Sequence, residues 1–174
     1  LTPAYPFGHS APILTFDDGA EQALIFSTLF NSFVFDFALR QSIGGANFTL
    51  YILKQLPMPT RRKIKSHKLV EGGSEQPLED YLIEAGLDLC WTSHSLDPLG
   101  RSVEPNGNPR IWDEEERNDI RAKTDAAIAK LYDIDRADFS YILDDFDILR
   151  DREVEEHREY VTKSRCLNYY DTIR

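Results

Sequence analysis

Six basic side chains within fifteen residues form the densest candidate site for chemistry in the sequence. They are Lys54, Arg61, Arg62, Lys63, Lys65 and Lys68, and no Asp or Glu lies among residues 54–68. Clustered Lys and Arg residues attract a polyanion, because they neutralise its charges and release its bound counterions. The cluster therefore makes a nucleic-acid contact a candidate, although composition alone favours a solvated basic linker.

Residues that could support catalysis do not form a recognisable constellation. The sequence contains no P-loop, no dinucleotide-binding glycine motif, no HExxH motif and no nucleophile elbow. None of the seven lysines has Asp or Glu two residues earlier, which is the spacing of a common metal-dependent nuclease motif. His9, His67 and His157 have no recognisable catalytic partner. We therefore expect no catalytic residue in this chain.

Two groups of side chains have partial metal-ligand character. Cys90 and His94 are four residues apart on a predicted helix, but two further ligands are missing nearby, so a core or surface role is favoured. Asp144, Asp145 and Asp147 could gather a cation, yet no calcium-loop spacing with its glycine surrounds them. They indicate a solvated acidic face, and the sequence predicts no metal site.

The distribution of charge separates two parts of the chain. The formal net charge is −10, which argues against a free-standing nucleic-acid binder. Residues 1–68 contain seven Lys and Arg against four Asp and Glu, a net charge of +3. Residues 69–174 contain thirteen against twenty-six, a net charge of −13. A polyanion would be attracted to the first part and repelled by the second.

The composition is that of an ordinary globular chain. Hydrophobic residues make up 41%, with ten Phe and eight Tyr, which is enough to build a core. No apolar run approaches the roughly 20 residues that cross a bilayer, and no secretory signal is visible, so we expect a cytoplasmic protein without a membrane partner. Cys90 and Cys166 indicate buried thiols, and a disulfide between them stays open. Because the sequence begins at Leu1 and not at Met, we expect a piece of a longer protein.

Secondary-structure patterns place the basic cluster after a buried helix. Asp18 and Glu21 have the spacing of a capping box, and apolar residues on more than one stripe predict a central helix over 19–41 that ends before Gly44 and Gly45. Alternating apolar residues predict a strand at Phe48–Leu56. Further predictions are a strand at 13–16, a flexible joint at 72–74, a helix over 78–93, a loop at 97–110, a helix from Asp113 to about Tyr132, and short helices at 137–143 and 160–173.

These elements predict a fold of the α+β class that is predominantly helical, with a few short strands near the N-terminal part. The charge asymmetry and the glycines at 72 and 73 suggest two regions. Residues 1–70 would form a helix-plus-strand segment with a basic end, and residues 71–174 an acidic helical segment. One compact domain is the alternative organisation.

Two stretches resemble the C-terminal region of type IIG-like restriction–modification adenine-specific DNA methyltransferases and related phage-defence methyltransferases. The first comprises LFNSFVFDF at 29–37, Arg40-Gln41, Gly44-Gly45 and YILKQLPMP at 51–59. The second comprises Glu116-Arg117, Ile120-Arg121-Ala122, Asp125-Ala126, Leu131-Tyr132, Asp138, Tyr141-Ile142-Leu143, Phe146 and Thr162-Lys163. Together they cover most of residues 20–60 and 112–173, in the family's order, whereas residues 61–111 match poorly.

The resemblance implies a target-recognition function. Such a region holds double-stranded DNA while the parent enzyme extrudes a base. Arg40 and Gln41 become candidates for contacts to base edges, since Arg can fork onto guanine and Gln can pair with adenine. Gly44 and Gly45 would let the backbone approach a phosphate, although capping and packing of the predicted helix explain these four residues equally well. The six residues of the basic cluster become candidates for phosphate contacts.

Departures from the family limit what this chain can do alone. Asp133 stands where the family has Gly after Leu-Tyr, which should alter that turn and not the fold. The glycine-rich cofactor loop and the Asn-Pro-Pro-aromatic motif of the methyltransferase half are absent. S-adenosylmethionine is therefore expected in a methyltransferase domain elsewhere in the parent chain, which is also the expected partner. The alternative function is a helical scaffold that braces that domain or another protein without DNA affinity of its own; whether the parent also cleaves DNA stays open.

Overall fold

The computed structural model describes residues 14–17, 19–42 and 50–174, and it confirms a predominantly helical fold with a small antiparallel sheet. The elements in chain order are α1 (Ala20–Phe30), α2 (Phe33–Ser42), α3 (Leu50–Leu53), α4 (Arg61–Ser66), β1 (Lys68–Glu71), β2 (Ser74–Pro77), α5 (Leu78–Cys90), a 3₁₀ turn (His94–Leu96), α6 (Asp97–Val103), α7 (Glu114–Leu131), α8 (Arg136–Asp144), α9 (Asp147–His157) and α10 (Val161–Thr172).

Helix α7 is the centre of the main core. Its side chains at Ala126, Ile128, Ala129 and Leu131 are fully buried, and it packs against α5 and α10. Alanines bring neighbouring helix backbones close together, because they add little volume at the contact. The predicted capping box is confirmed at the start of α7, where the Asp113 carboxylate accepts a hydrogen bond from the Glu116 N–H at 2.9 Å.

A smaller apolar cluster surrounds Trp91, which is fully buried at the end of α5. The indole Nε1–H donates to Asp97 Oδ1 at 3.0 Å. At Gly100 an added Cβ would lie 2.1 Å from the Trp91 ring, so only glycine fits there. The predicted loop is therefore wrong over residues 97–103, because α6 forms with Pro98 in its first turn, where the missing amide hydrogen costs nothing.

The helix predicted over residues 19–41 is two helices. The break lies at Asn31 and Ser32, and the α1 and α2 axes differ by 68°. The Asn31 side-chain amide donates to Ser27 O at 2.7 Å, and the Ser32 hydroxyl donates to Leu29 O at 2.7 Å. Side-chain donors thus hydrogen-bond with carbonyls in the last turn of α1. Ser32 Oγ also accepts from the Phe35 N–H at 3.2 Å and caps α2. The predicted cap residue Asp18 lies outside the described residues.

Among the described helices, none alone is long and apolar enough to cross a membrane. Helices α1 and α2 reach that length and composition only when they are taken together across their bend.

The strand predicted at 48–56 is wrong for its described part, which contains α3 and then a turn. Tyr51 is exposed while Leu56 is buried, and the Tyr132 hydroxyl donates to Pro57 O at 2.8 Å. Residues 14–16 are not a strand either. In the described part of the chain the sheet consists of β1 and β2, so neither of these two segments belongs to a sheet.

Residues 68–77 form a β-hairpin, and the joint predicted at 72–74 is its turn. Gly72 and Gly73 have φ values of 57° and 88°, the conformation that a two-residue hairpin turn requires. Val70 also exchanges two backbone hydrogen bonds of 2.9 Å with Arg174 on the open edge of β1. The boundary drawn between residues 70 and 71 thus falls inside β1, and buried side chains from both sides of it share one core cluster.

The helices predicted at 78–93, 113–132, 137–143 and 160–173 are confirmed within a few residues of their ends. Helix α9 was not predicted, and none of its side chains is buried. Asp133 has a φ of 57°, so the turn after α7 keeps the left-handed conformation that favours glycine. Asp tolerates this conformation better than most residues.

Candidate functional site

The basic stretch contains a capped helix, α4. Thr60 Oγ1 accepts a hydrogen bond from the Lys63 N–H at 3.2 Å and starts the helix. Ile64 is its buried residue and fixes the helix to the core, where α4 packs against α5. Arg62 lies about 200° around the helix axis from Ile64 and therefore points away from the core. We call the exposed face formed by Arg61, Arg62, Lys63 and Lys65 the basic surface.

Acidic side chains of other elements pair with three members of the basic surface. Arg61 Nε lies 3.1 Å from one Glu79 oxygen, and Lys65 Nζ lies 3.7 Å from the other. Lys63 Nζ lies 2.6 Å from Asp133 Oδ2, and this hydrogen bond lowers the pKa of Asp133. The charge asymmetry of the sequence is thus partly cancelled where α4 meets the start of α5 and the end of α7.

The remaining predicted phosphate contacts differ in their partners. Lys68 pairs with Glu75 across the hairpin. Arg62 and Lys54 are exposed and form no ion pair or hydrogen bond with any residue that the structure describes. Of the six basic residues, these two therefore have no counter-charge among the residues that the structure describes.

Arg40 and Gln41 lie at the end of α2, as predicted. Two hydrogen bonds of 3.0 and 3.2 Å join the Arg40 guanidinium to Asp36 Oδ2, and they raise the pKa of Arg40. The guanidinium also lies 4.5 Å from the centre of the Phe146 ring. Gly44 and Gly45 lie outside the described residues.

Arg40 and the basic surface lie near opposite ends of α8. Arg40 contacts Phe146, two residues after this helix ends, and Lys63 pairs with Asp133, three residues before it begins. Nine residues of α-helix span about 14 Å. The predicted base contacts and the predicted phosphate contacts are thus two separate groups.

A second site, which the sequence did not predict, is a polar cleft of about 930 Å³. We call it the polar cleft. Its walls come from the α1–α2 break, the end of α5, one side of α7, and helices α9 and α10. Arg117, Arg121 and Asp125 line it from α7, and their spacing of four residues places them on one face of that helix.

Arg117 joins α7 to the end of α5. Its side chain donates to Asp88 O at 3.3 Å and to Leu89 O at 3.0 Å, carbonyls in the last turn of α5. The negative end of the α5 helix dipole stabilises a guanidinium at this position. The guanidinium lies 3.8 Å from the centre of the Trp112 ring, and burial lowers its pKa. The Arg117 Nε–H is buried and has no hydrogen-bond acceptor among the described residues.

Asp125 performs the complementary function for α2. Its Oδ1 accepts a hydrogen bond from the Phe33 N–H at 2.8 Å, at the positive end of the α2 dipole. The carboxyl group is buried, and burial raises its pKa to about 7, although the Phe33 hydrogen bond and nearby Arg121 oppose that rise. Near neutral pH this buried group changes its charge.

The groups considered as metal ligands have other partners. Cys90 Sγ lies 3.8 Å from Ser27 Oγ, whereas His94 Nδ1 lies 3.2 Å from Asp97 Oδ2. Cys90 and Cys166 are both free thiols, and burial raises the pKa of Cys166 well above its usual value. Within the described ranges no three His, Cys, Asp or Glu side chains are grouped so that they could hold a metal ion.

Sequence reasoning missed the polar cleft because its charged residues are dispersed over α7, α9 and α10. The one usable signal was the series Arg117, Arg121 and Asp125 at four-residue spacing on an otherwise alanine-rich helix. No protein-family model, curated protein or solved structure matches the chain.

Proposed function

We propose that this chain is a non-catalytic DNA-contacting module of a restriction–modification type DNA methyltransferase, and that the basic surface of α4 contacts the phosphate backbone. The observation that carries the proposal is the outward position of Arg62 on a capped helix that Ile64 anchors to the core. A cation held on a rigid element can position a duplex without a large loss of conformational entropy.

The ion pairs on the basic surface are compatible with this function. The Lys63 side chain is 37% exposed and its partner Asp133 is 75% exposed. Exposed pairs of this kind contribute only about 0–1 kcal/mol, because water and salt screen them. A duplex offers a dense array of phosphates and gains entropy from counterion release, so it can displace such carboxylates.

The rest of the enzyme would supply the chemistry. S-adenosylmethionine and the extruded adenine would bind to the methyltransferase domain of the parent chain, while this module holds the duplex beside them. Arg40 and Gln41 would form a second contact near the other end of α8. Residues 69–174, with a net charge of −13, would dock against the methyltransferase domain or face solvent.

A salt titration with a fluorescent duplex tests the proposal. We expect weak binding whose affinity falls as salt rises, and substitution of Arg61, Arg62 and Lys63 by Glu should abolish it. The matched control replaces Arg101, Arg136 and Arg150 by Glu, which changes the net charge equally on other surfaces. Equal binding by the two triple variants, or no binding by the unchanged chain at low salt, would contradict a DNA contact through α4.

A bracing function is the second candidate, because large apolar side chains lie exposed away from α4. Ile111 is 91% exposed and Trp112 is 58% exposed, next to each other before α7. Adjacent exposed apolar residues are typical of a protein contact. If the chain binds the parent's methyltransferase domain, and Ile111→Ser with Trp112→Ser abolishes that association while DNA binding is absent, bracing is the better description.

A further inference from the structure

The loop between α6 and α7 contains two asparagines with contrasting neighbours. Of the six asparagines in the sequence, Asn106 is the one that glycine follows. The preceding side chain reaches a glycine nitrogen easily, because no Cβ hinders the approach. Asn108 stands two residues later and is followed by proline, which has no backbone N–H. One loop thus holds an asparagine beside an accessible backbone N–H and another beside none.

Asn106 is the third residue of a turn on the surface. The Gly107 N–H donates to Glu104 O at 2.9 Å, which closes the turn over Pro105 and Asn106. Asn106 is exposed, and its side-chain amide forms no hydrogen bond with any residue that the structure describes. This side chain is therefore free to rotate towards the main chain. The turn hydrogen bond is the interaction that a reaction of the Gly107 nitrogen must break.

The other described asparagines lack this combination. Two of them lie inside α7 and α10, where the next backbone N–H is part of the helical hydrogen-bond pattern. The side-chain amide of Asn31 donates to a carbonyl of α1 at 2.7 Å. Asn108 is exposed like Asn106, but the nitrogen after it has no proton to release. Asn108 therefore serves as an internal control for Asn106.

We propose that Asn106 is a site of spontaneous deamidation. The Gly107 nitrogen loses its proton and attacks Asn106 Cγ, so a new nitrogen–carbon bond forms. The Cγ–Nδ2 bond then breaks, and ammonia leaves with that proton. Water opens the resulting succinimide ring at either carbonyl and yields an aspartate or an isoaspartate, whose main chain runs through the former side chain. Water is the co-reactant, and no group is oxidised or reduced.

The reaction changes both the charge and the main-chain length of a loop that Arg110 fastens to α5. The Arg110 N–H donates to Trp91 O at 2.7 Å. The guanidinium of Arg110 pairs with Asp88 at 2.7 Å and with Glu104 at 2.8 Å. Both products add a carboxylate two residues after Glu104, and isoaspartate also adds one atom to the main chain before Arg110. The longer main chain would weaken the contacts of Arg110. This inference does not depend on the proposed DNA contact.

Ageing of the chain for several weeks at pH 8, followed by peptide mapping with mass spectrometry, tests the site. We expect most molecules to lose the Asn106 amide, with release of ammonia and with isoaspartate as the more abundant product. Ageing at pH 5 should leave most molecules intact, because the attacking nitrogen must lose its proton. An Asn106 peptide that stays unchanged at pH 8 in the folded chain, while the urea-denatured chain is converted, would overturn the proposal.

Two matched variants identify the reacting residue. Asn106→Gln should stop the release of ammonia from this loop, because the longer side chain would have to close a larger and less favourable ring. Asn108→Gln changes the neighbouring exposed asparagine and should leave the conversion unchanged. Equal conversion of the loop in these two variants would contradict attack at Asn106.

A third variant separates the added charge from the added main-chain atom. Asn106→Asp carries the new carboxylate on an ordinary main chain. We expect the aged chain to unfold at a lower urea concentration than this variant, because only isoaspartate lengthens the loop before Arg110. Equal urea midpoints would overturn the inferred weakening of the Arg110 contacts.

Discussion

The basic surface of α4 and the polar cleft hold their cations in opposite ways. Arg61, Lys63 and Lys65 are near solvent, and each is paired with a carboxylate from another element. Arg117 is buried, and its partners among the described residues are neutral carbonyl groups and an aromatic ring. The sequence makes α4 look strongly basic and the region around α7 strongly acidic, yet the least compensated buried cation is in the acidic region.

The difference shows that local composition is a poor guide to uncompensated charge. Exposed ion pairs form and break at little cost in free energy. Carboxylates of the same protein therefore reduce the charge of a surface cation cluster, and another anion can replace them. A buried cation has few alternative partners and must be satisfied by what the fold or a ligand supplies. Substitutions in the two regions should therefore differ strongly in their effect on stability.

The largest effect is expected from Arg117→Met. This change leaves Asp88 O and Leu89 O, which are partly buried, without their donor at the end of α5, and an unsatisfied acceptor costs up to about 1–3 kcal/mol. We expect the free energy of unfolding, measured by urea denaturation, to fall by about 3 kcal/mol. Arg152→Met, which removes an exposed cation from the same cleft, should change it by less than about 0.5 kcal/mol. Similar losses in both variants would erase the proposed contrast between buried and exposed cations.

The next effect concerns Asp125 and depends on pH. Its folded-state pKa of about 7 lies above the ordinary value of 3.8, so this group's contribution to stability is full below about pH 4 and is lost as pH rises towards 7. Asp125→Asn keeps an oxygen for the Phe33 N–H and cannot ionise. We expect the variant to exceed the unchanged protein in unfolding free energy at pH 8, by no more than the roughly 4 kcal/mol that a shift of this size corresponds to, and to match it at pH 4.

Thermal or urea unfolding of both proteins between pH 4 and pH 8 measures this difference. A stability difference that stays constant across the range would mean that Asp125 does not titrate there.

A smaller effect is expected at Lys63 and Asp133. The pair is exposed, so a double-mutant cycle with Lys63→Met and Asp133→Asn should give a coupling energy of no more than about 1 kcal/mol, which decreases as salt is added. Asn is chosen because it tolerates the positive φ of Asp133. A coupling of several kcal/mol would place this pair with the buried charges.

The smallest change in stability is expected at Arg62. Arg62→Gln removes a side chain without an ion pair among the described residues, and the unfolding free energy should stay within about 0.5 kcal/mol. If α4 contacts DNA, the slope of log affinity against log salt should decrease by about one, since one phosphate contact is lost. An unchanged slope with unchanged stability would remove Arg62 from the DNA contact.

The sequence predicts best those helices whose apolar spacing and whose capping residues indicate the same start and end. Helix α7 combines an aspartate cap, an acidic first turn and apolar positions at helical spacing. The prediction of a strand at 48–56 was wrong because a strand needs a neighbouring strand to pair with. The local sequence cannot show whether such a partner exists. At 97–103 the proline and glycine suggested a loop, but proline fits the first turn of α6 and Gly100 faces the Trp91 ring. Whether glycine or proline interrupts a helix depends on its position within that helix.

The candidate sites were predictable to different degrees. The basic surface was visible because its residues are contiguous in sequence, whereas its ion pairs with Glu79 and Asp133 join residues up to seventy positions apart. The polar cleft draws its walls from six helices, and one of its lining residues, Arg117, has a buried nitrogen without a partner among the described residues. A missing hydrogen bond becomes visible only when the surrounding groups have been placed.

The backbone pairing of Val70 with Arg174 has a kinetic consequence. It joins positions about a hundred residues apart, whereas the hairpin of β1 and β2 closes locally. At a synthesis rate of about 5–20 residues per second, this edge of β1 would stay without its partner for roughly 5–20 seconds, until residue 174 is made. An unpaired strand edge is a template for aggregation during that interval. The nascent chain is therefore most vulnerable after the hairpin forms and before α10 has docked.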